Sequence, residues 1–173
     1  MIRIKETKNC DTRTLKKGQR LDGKKVEEDT RRHIEAVEAC GEFLADRIKS
    51  QFGEHDHTKL GEHLPAFVEA LSTGFKGKEF KGQDWWKVHL TERHHLNDEV
   101  PEDVNLIDVL EMVCDCVVAG MARTGKAEEV TLPDEVLKKA FANTAKLIES
   151  QIEVEKPDGE KERVLSDMFK VKD

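Results

Sequence analysis

A chain of 173 residues is long enough for one domain with a buried core and short for two. Its 37% of hydrophobic residues fall in periodic blocks, which predicts a folded protein, and its 38% of charged residues predict a heavily charged surface. A formal net charge of −7 argues against a broad surface for duplex nucleic acid, while leaving room for a small phosphorylated ligand at a locally positive metal site.

No segment approaches the roughly 20 apolar residues that cross a bilayer, so no membrane partner is expected. The first ten residues, MIRIKETKNC, hold no apolar block of signal-peptide length. Cys10, Cys40, Cys114 and Cys116 make neither a CxxC pair nor a disulfide framework. Reduced thiols and a cytoplasmic location are the expectation.

The chain reads as an all-α bundle of about five helices over residues 26–154, with an irregular arm at 1–25 and a tail at 155–173. Periodicity predicts a first helix from Val26 to Phe52, with Ile34, Val37, Phe43, Leu44 and Ile48 as its apolar stripe and Gly53 closing it. A second helix is expected over 56–72, where Pro65 interrupts the pattern. Ser72 to Gln83, with three glycines among lysines, reads as a mobile loop. A third helix is expected from Asp84 to about Asp98, and a fourth capped by Asp103 that runs through Met121. Pro133-Asp134 opens a fifth, to about Val154. The tail carries a Pro157-Asp158-Gly159 turn and reads as a small hairpin or a short helix. The stripes show no surplus apolar face of the kind that marks a dimer.

All seven histidines lie between positions 33 and 95. Neutral imidazole is the commonest transition-metal ligand, so such clustering points to a metal site. His55-Asp56, followed by Lys59, follows a helix-closing glycine, and adjacent residues can serve one ion from a helix end. Asp115 sits in the apolar run Met-Val-Cys-Asp-Cys, where a carboxylate needs a partner: an ion, or an arginine. His33 lines up with the apolar stripe of its helix. His89, His94 and His95 do not share a face of a straight helix, because five and six steps rotate about 140° and 240°. They converge only if the helix ends near Arg93, or else they bind different ions. His57 and His63 read as surface residues.

In chain order these residues are a His, a His-Asp pair, further histidines and a distal Asp. The order resembles the HD superfamily of metal-dependent phosphohydrolases over roughly residues 27–122. His55-Asp56-His57-Thr58-Lys59 is similar to that family's His-Asp-x-x-Lys variant. Trp85-Trp86, His89, His94-His95 and Met112-Val113-Cys114-Asp115 are similar to a small HD-like group frequent in phage and bacterial genomes. The glycine-proline signature of the cyclic-dinucleotide phosphodiesterases is absent.

The resemblance implies one or two divalent transition-metal ions, at most three, with manganese, iron, cobalt, nickel and zinc all compatible. It places His33, His55, Asp56 and Asp115 around a first ion, and His89, His94 and His95 at a second that Asp56 bridges. Asp56 and Lys59 are then the catalytic candidates, and Lys59 and Arg93 the substrate-binding cations. The implied substrate is a phosphomonoester or phosphodiester, most plausibly a nucleotide. Trp85 or Trp86 could stack on its base, or both could be core residues. Two alternatives remain: an HD-like di-iron oxygenase, and a non-enzymatic interaction protein stabilised by metal.

Overall fold

The computed structural model describes residues 1–6 and 15–156, together with the backbone of 161–163. Cys10 and the Pro157-Asp158-Gly159 turn lie outside the described residues.

In chain order the elements are β1 (Ile2–Lys5), α1 (Gly23–Gly53), two single 3₁₀ turns (His57–Lys59 and Gly61–His63), α2 (Leu64–Ser72), α3 (Gly77–Lys81), α4 (Asp84–His89), α5 (Leu106–Thr124), α6 (Asp134–Glu149), β2 (Ile152–Glu155) and β3 (Lys161–Arg163). The protein is therefore mostly helical, as expected. The chain divides into two units, residues 1–46 with 145–173, and residues 47–144. The described ends of the chain, residues 1–6 and 145–156, fall in the same unit.

That unit holds a three-stranded sheet, in which β1 runs parallel to β2 and β3 returns antiparallel beside β2. Ile2 pairs with Ile152 and Ile4 with Val154, and Ile2 is buried. The short sequences IRIK and IEVE alternate apolar and polar residues, the two-residue period of a strand. Ile152 and Val154, expected on the fifth helix, belong to this ladder instead. Within the expected tail β3 lies antiparallel to β2, and within the expected arm Ile2–Lys5 form a strand.

The unit spanning 47–144 contains the chemistry. Its apolar core joins Leu96, Val104, Met112, Val136 and Ala140. Pro65 sits in the first turn of α2, where its missing N–H costs nothing, so the expected helix begins at Leu64 and the residues before it form 3₁₀ turns. The Ser72–Gln83 segment is not all loop, since α3 occupies its second half. The fourth helix is capped by Asn105, not Asp103. The Asn105 side chain accepts from Ile107 N, and the Asp108 carboxylate accepts from Asn105 N, a reciprocal capping box. Gly125 ends α5 at φ 73°.

The third helix stops at His89, well short of the expected end. Residues 90–98 continue as turns: Leu90 and Thr91 bond back to Trp86 and Val88, then Glu92 N bonds to His89 O. This early stop lets residues five and six positions apart turn toward one point. Trp85 is buried, stacked 4.5 Å from Phe67, and its indole N–H donates to Thr58 O at 3.1 Å. Trp85 is thus a core residue that ties α4 to the His-Asp turn. Its stacked neighbour His89 lies 4.8 Å away, centroid to centroid.

Candidate metal centre

The His55-Asp56 pair follows directly from the end of α1. Asp56 adopts a left-handed backbone at φ 59°, the one described non-glycine residue with positive φ. Such a conformation costs of order 1–3 kcal/mol and persists only when its surroundings hold it. Glu92 supplies the hold. Its buried carboxylate accepts from Asp56 N at 2.7 Å, from Thr58 N at 3.0 Å, and from the Thr58 hydroxyl. Burial pushes this carboxyl upward, but hydrogen bonds from His89, Thr58 and Asp56 outweigh it and keep Glu92 far below the usual carboxylate range.

Glu92 also sets the chemistry of His89. The Thr58 hydroxyl has one proton and donates it to Glu92, so its oxygen accepts from His89 Nδ1–H at 2.7 Å. His89 Nε2 is then the unprotonated nitrogen, and it lies 2.8 Å from His95 Nε2 and 3.8 Å from Asp56 Oδ1. A parallel arrangement orients His55. Its Nδ1 donates to Glu111 Oε1 at 3.0 Å, and its Nε2 faces Asp115 Oδ1 at 3.5 Å and Asp56 Oδ2 at 3.7 Å. Carboxylates that fix the far nitrogen of a histidine are the usual support for a metal-ligating imidazole.

His94 stands between these two histidines, 2% exposed, with ring centroids 4.3 Å from His55 and 4.2 Å from His95. Neither of its nitrogens makes a hydrogen bond, although Nδ1 is 3.3 Å from Glu111 Oε1. Asp56 Oδ1 is likewise buried without a partner, while Asp56 Oδ2 accepts from Lys59 Nζ at 2.6 Å. Buried polar atoms are almost always paired, and each one left alone costs about 1–3 kcal/mol. Among oriented imidazoles and carboxylates, a metal ion would satisfy Asp56 Oδ1 and the unprotonated nitrogen of His94.

Among the described residues, two groups have ligand atoms within 4.8 Å of one another: His55, Asp56, Glu92 and His94, and separately His89, His94 and His95. They share His94. All lie in the 47–144 unit. Asp115 is not in either group, yet its carboxylate borders the first through His55.

The electrostatics fit an ion. Without one, the hydrogen bond to Asp115, then that to Glu111, and the charge of Asp56 outweigh burial and push the His55 imidazole up to about 10. The same contact with His55 holds Asp115 below the ordinary carboxylate range. Burial raises Glu111, but hydrogen bonds from His55 and Gln51, with His94 close by, bring it down to about 2. His95 is pushed down to about 4, first by burial and then by the neighbouring His94 and His89, so it is neutral at physiological pH. Imidazoles clustered with carboxylates offer the donors that first-row divalent ions prefer.

Not every expected residue reaches this centre. His33 lies on the part of α1 that belongs to the other unit. It is exposed, twenty residues of unbroken helix separate it from Gly53, and it joins neither group. His57 is exposed, its Nδ1 bonding Glu54 O, and His63 is half-buried, beside Glu62.

Arg93, expected to bind substrate, is engaged elsewhere. Its Nε and one terminal nitrogen donate to the two oxygens of Asp108, both at 2.8 Å, and the other terminal nitrogen donates to Asp103. A planar fork held bidentate on a wholly buried carboxylate is a structural ion pair. Trp85, a candidate base-stacking residue, is enclosed in the core as described above.

Glu92, Glu111 and Thr58 were not singled out from sequence. Glu111 was legible, because it lies one helical turn before Asp115 on the same face of α5. Glu92 and Thr58 carry no such signal, since their roles depend on the left-handed turn at Asp56.

Two clefts adjoin the cluster. Phe52, His55, Glu111, Cys114, Asp115 and Val118 line one of about 430 Å³. The other, of about 500 Å³, is polar and includes Gln51, Glu54, His57 and Glu92.

No protein-family model, curated protein or solved structure matches the chain. Among the described residues no helix is long and apolar enough to cross a membrane.

Proposed function

We propose that this protein is a metal-dependent phosphohydrolase of the HD type, which binds two divalent ions between the His55-Asp56 turn, the 89–95 turn and α5. The observation that carries the reading is the trio of partnerless buried atoms, both nitrogens of His94 and Asp56 Oδ1, where the two ligand groups meet. Asp56 would help to hold both ions, since Oδ1 faces His89 while Oδ2 faces His55 and Lys59. His94 supplies the histidine that the HD pattern requires beside the His-Asp pair, a place first given to His33.

Charge supports two ions over one. Four carboxylates (Asp56, Glu92, Glu111 and Asp115) surround the histidines, with Lys59 as their close cation. One dication leaves the cluster anionic and hostile to a phosphoryl group, whereas two reverse its sign. Bound there, such ions supply Lewis acidity, lowering the pKa of water toward neutrality and drawing in phosphoryl oxygens.

The chain's own residues do the rest. Glu111 and the Glu92–Thr58 pair hold His55 and His89 with their free nitrogens facing inward. Lys59 Nζ donates to Asp56 Oδ2, and it is the cation placed to steady a phosphoryl oxygen during attack by water. Trp86, 5.4 Å from His95 between ring centroids, closes one side of the centre.

The test is elemental analysis of protein purified without a histidine tag, followed by turnover of bis(p-nitrophenyl) phosphate and a nucleotide panel. Wild type should carry about two ions per chain. Asp56→Asn, which tolerates the left-handed backbone, should stay folded, lose at least one ion and lose turnover. A wild type that stays metal-free after incubation with manganese, iron, cobalt, nickel and zinc would sink the reading. Iron content with oxygen consumption and no hydrolysis would move it to the di-iron oxygenase.

A further inference from the structure

The cleft of about 430 Å³ beside the cluster is built from two unlike walls. His55, Glu111 and Asp115 form the inner one. Phe52, at the end of α1, together with Cys114 and Val118 of α5, forms the outer one. Val118 is 67% exposed, and Cys114 is exposed as a free thiol. On α5, Cys114 and Val118 are one turn apart, and Glu111 and Asp115 form the adjacent row, so one helix presents both walls. An apolar shelf open to solvent beside ion-binding residues has the composition of a ligand site, mostly hydrophobic with a few polar groups at one end.

We infer that this shelf binds the non-phosphoryl part of the substrate, and that this part is an uncharged aromatic ring lying against Phe52 and Val118. The inference rests on the phosphohydrolase reading and adds the substrate class to it. Charge selects the occupant. The outer wall of Phe52, Cys114 and Val118 offers no cation to hold a second phosphate or a carboxylate. A polar sugar would gain no hydrogen bond from Phe52 or Val118 and would bury little apolar surface against them. A neutral ring loses nothing there and gains from burial against an aromatic side chain. The tryptophans are not alternatives of equal standing: Trp85 is enclosed, and Trp86 packs on His89, His95 and Lys81.

The test compares phenylphosphonate with methylphosphonate, which share a head group and differ by the ring, on manganese-loaded protein by calorimetric titration. Phenylphosphonate should bind about tenfold more tightly, the gain expected from partly burying one ring. Val118→Gln and Phe52→Leu should each remove most of that preference and leave methylphosphonate affinity unchanged. Equal affinity for the two phosphonates in wild type overturns the ring site and leaves the phosphohydrolase reading standing. Failure of both to bind overturns the phosphoryl reading. The shelf is then decided by alkylation of Cys114 with iodoacetamide, followed by peptide mass spectrometry. Slowing by benzyl alcohol upholds an aromatic-ring site, and an unchanged rate overturns it.

Discussion

Arg93 and His94 are neighbours in the chain, and each leads into a buried polar network anchored on α5, yet the two networks differ in kind. Around Arg93 every strong group has a partner. Asp108 accepts from Arg93, from Gln51 and from Asn105 N, and Asp103 takes the remaining arm of the guanidinium. Around His94 the network is oriented but incomplete, with three buried atoms that bond to nothing. Gln51 belongs to both, bridging Asp108 and Glu111 with one amide. Satisfaction, more than burial or charge, separates a network that holds the fold from one arranged for a ligand.

The largest effect should come from breaking the complete network. Arg93→Ala leaves the buried Asp108 side chain without its main partner, which should cost about 3–5 kcal/mol in urea unfolding, with metal present or absent. If Arg93→Ala instead proved nearly neutral to stability and abolished substrate binding, Arg93 would return to the site as first expected.

A smaller effect should follow from disturbing the orientation of the incomplete network. Thr58→Val removes the hydroxyl between Glu92 and His89. It should destabilise the metal-free protein by about 1–2 kcal/mol and weaken metal binding about 10–100-fold. Thr58→Ser should restore both, measured by competition with a chelating dye. A Val variant with wild-type metal affinity would remove the tautomer argument for His89.

The dependence on pH should be milder and has a defined sign. His55 holds its proton up to about 10 in the folded, metal-free protein, against an ordinary 6.5. Its contribution to stability is therefore complete below pH 6.5 and is lost as pH rises through 10. The thermal midpoint of metal-free protein should fall across that window, and His55→Gln should flatten the fall. A metal ion competes with the same proton, so binding at pH 8 should release protons, visible as buffer-dependent binding enthalpy. Glu111 acts in the opposite direction, its contribution fading as pH falls from 4.5 through 2.

Much of the helical fold was legible because apolar residues recur at helical steps in α1, α5 and α6. What escaped was decided by short-range competition. Asp103 and Asn105 are both good caps, and the choice fell to Asn105 because Asp108 stands three residues on, as the box requires. Ile152 and Val154 fit either a helix face or a strand, and only their pairing with Ile2 and Ile4 settles it. At the centre, His55, Asp56, His89, His94 and His95 were legible by residue type and grouping. The convergence of the last three rested on the stop of α4 at His89, which the continuing pattern of WWKVHLTERHHL conceals. Glu92 looked like a surface acid, because its partners are backbone N–H groups of a turn no side chain announces.

The most direct measurement is the unfolding free energy of His94→Phe beside wild type, each with and without added metal, together with its metal content. Phe keeps the ring and removes two unpaired buried nitrogens. The variant should therefore match or exceed metal-free wild type, by up to about 1 kcal/mol, while losing its ions and the stabilisation by metal that wild type shows. A variant that is strongly destabilised without metal, or one that binds ions as wild type does, would contradict the account and place His94 among the residues that hold the fold.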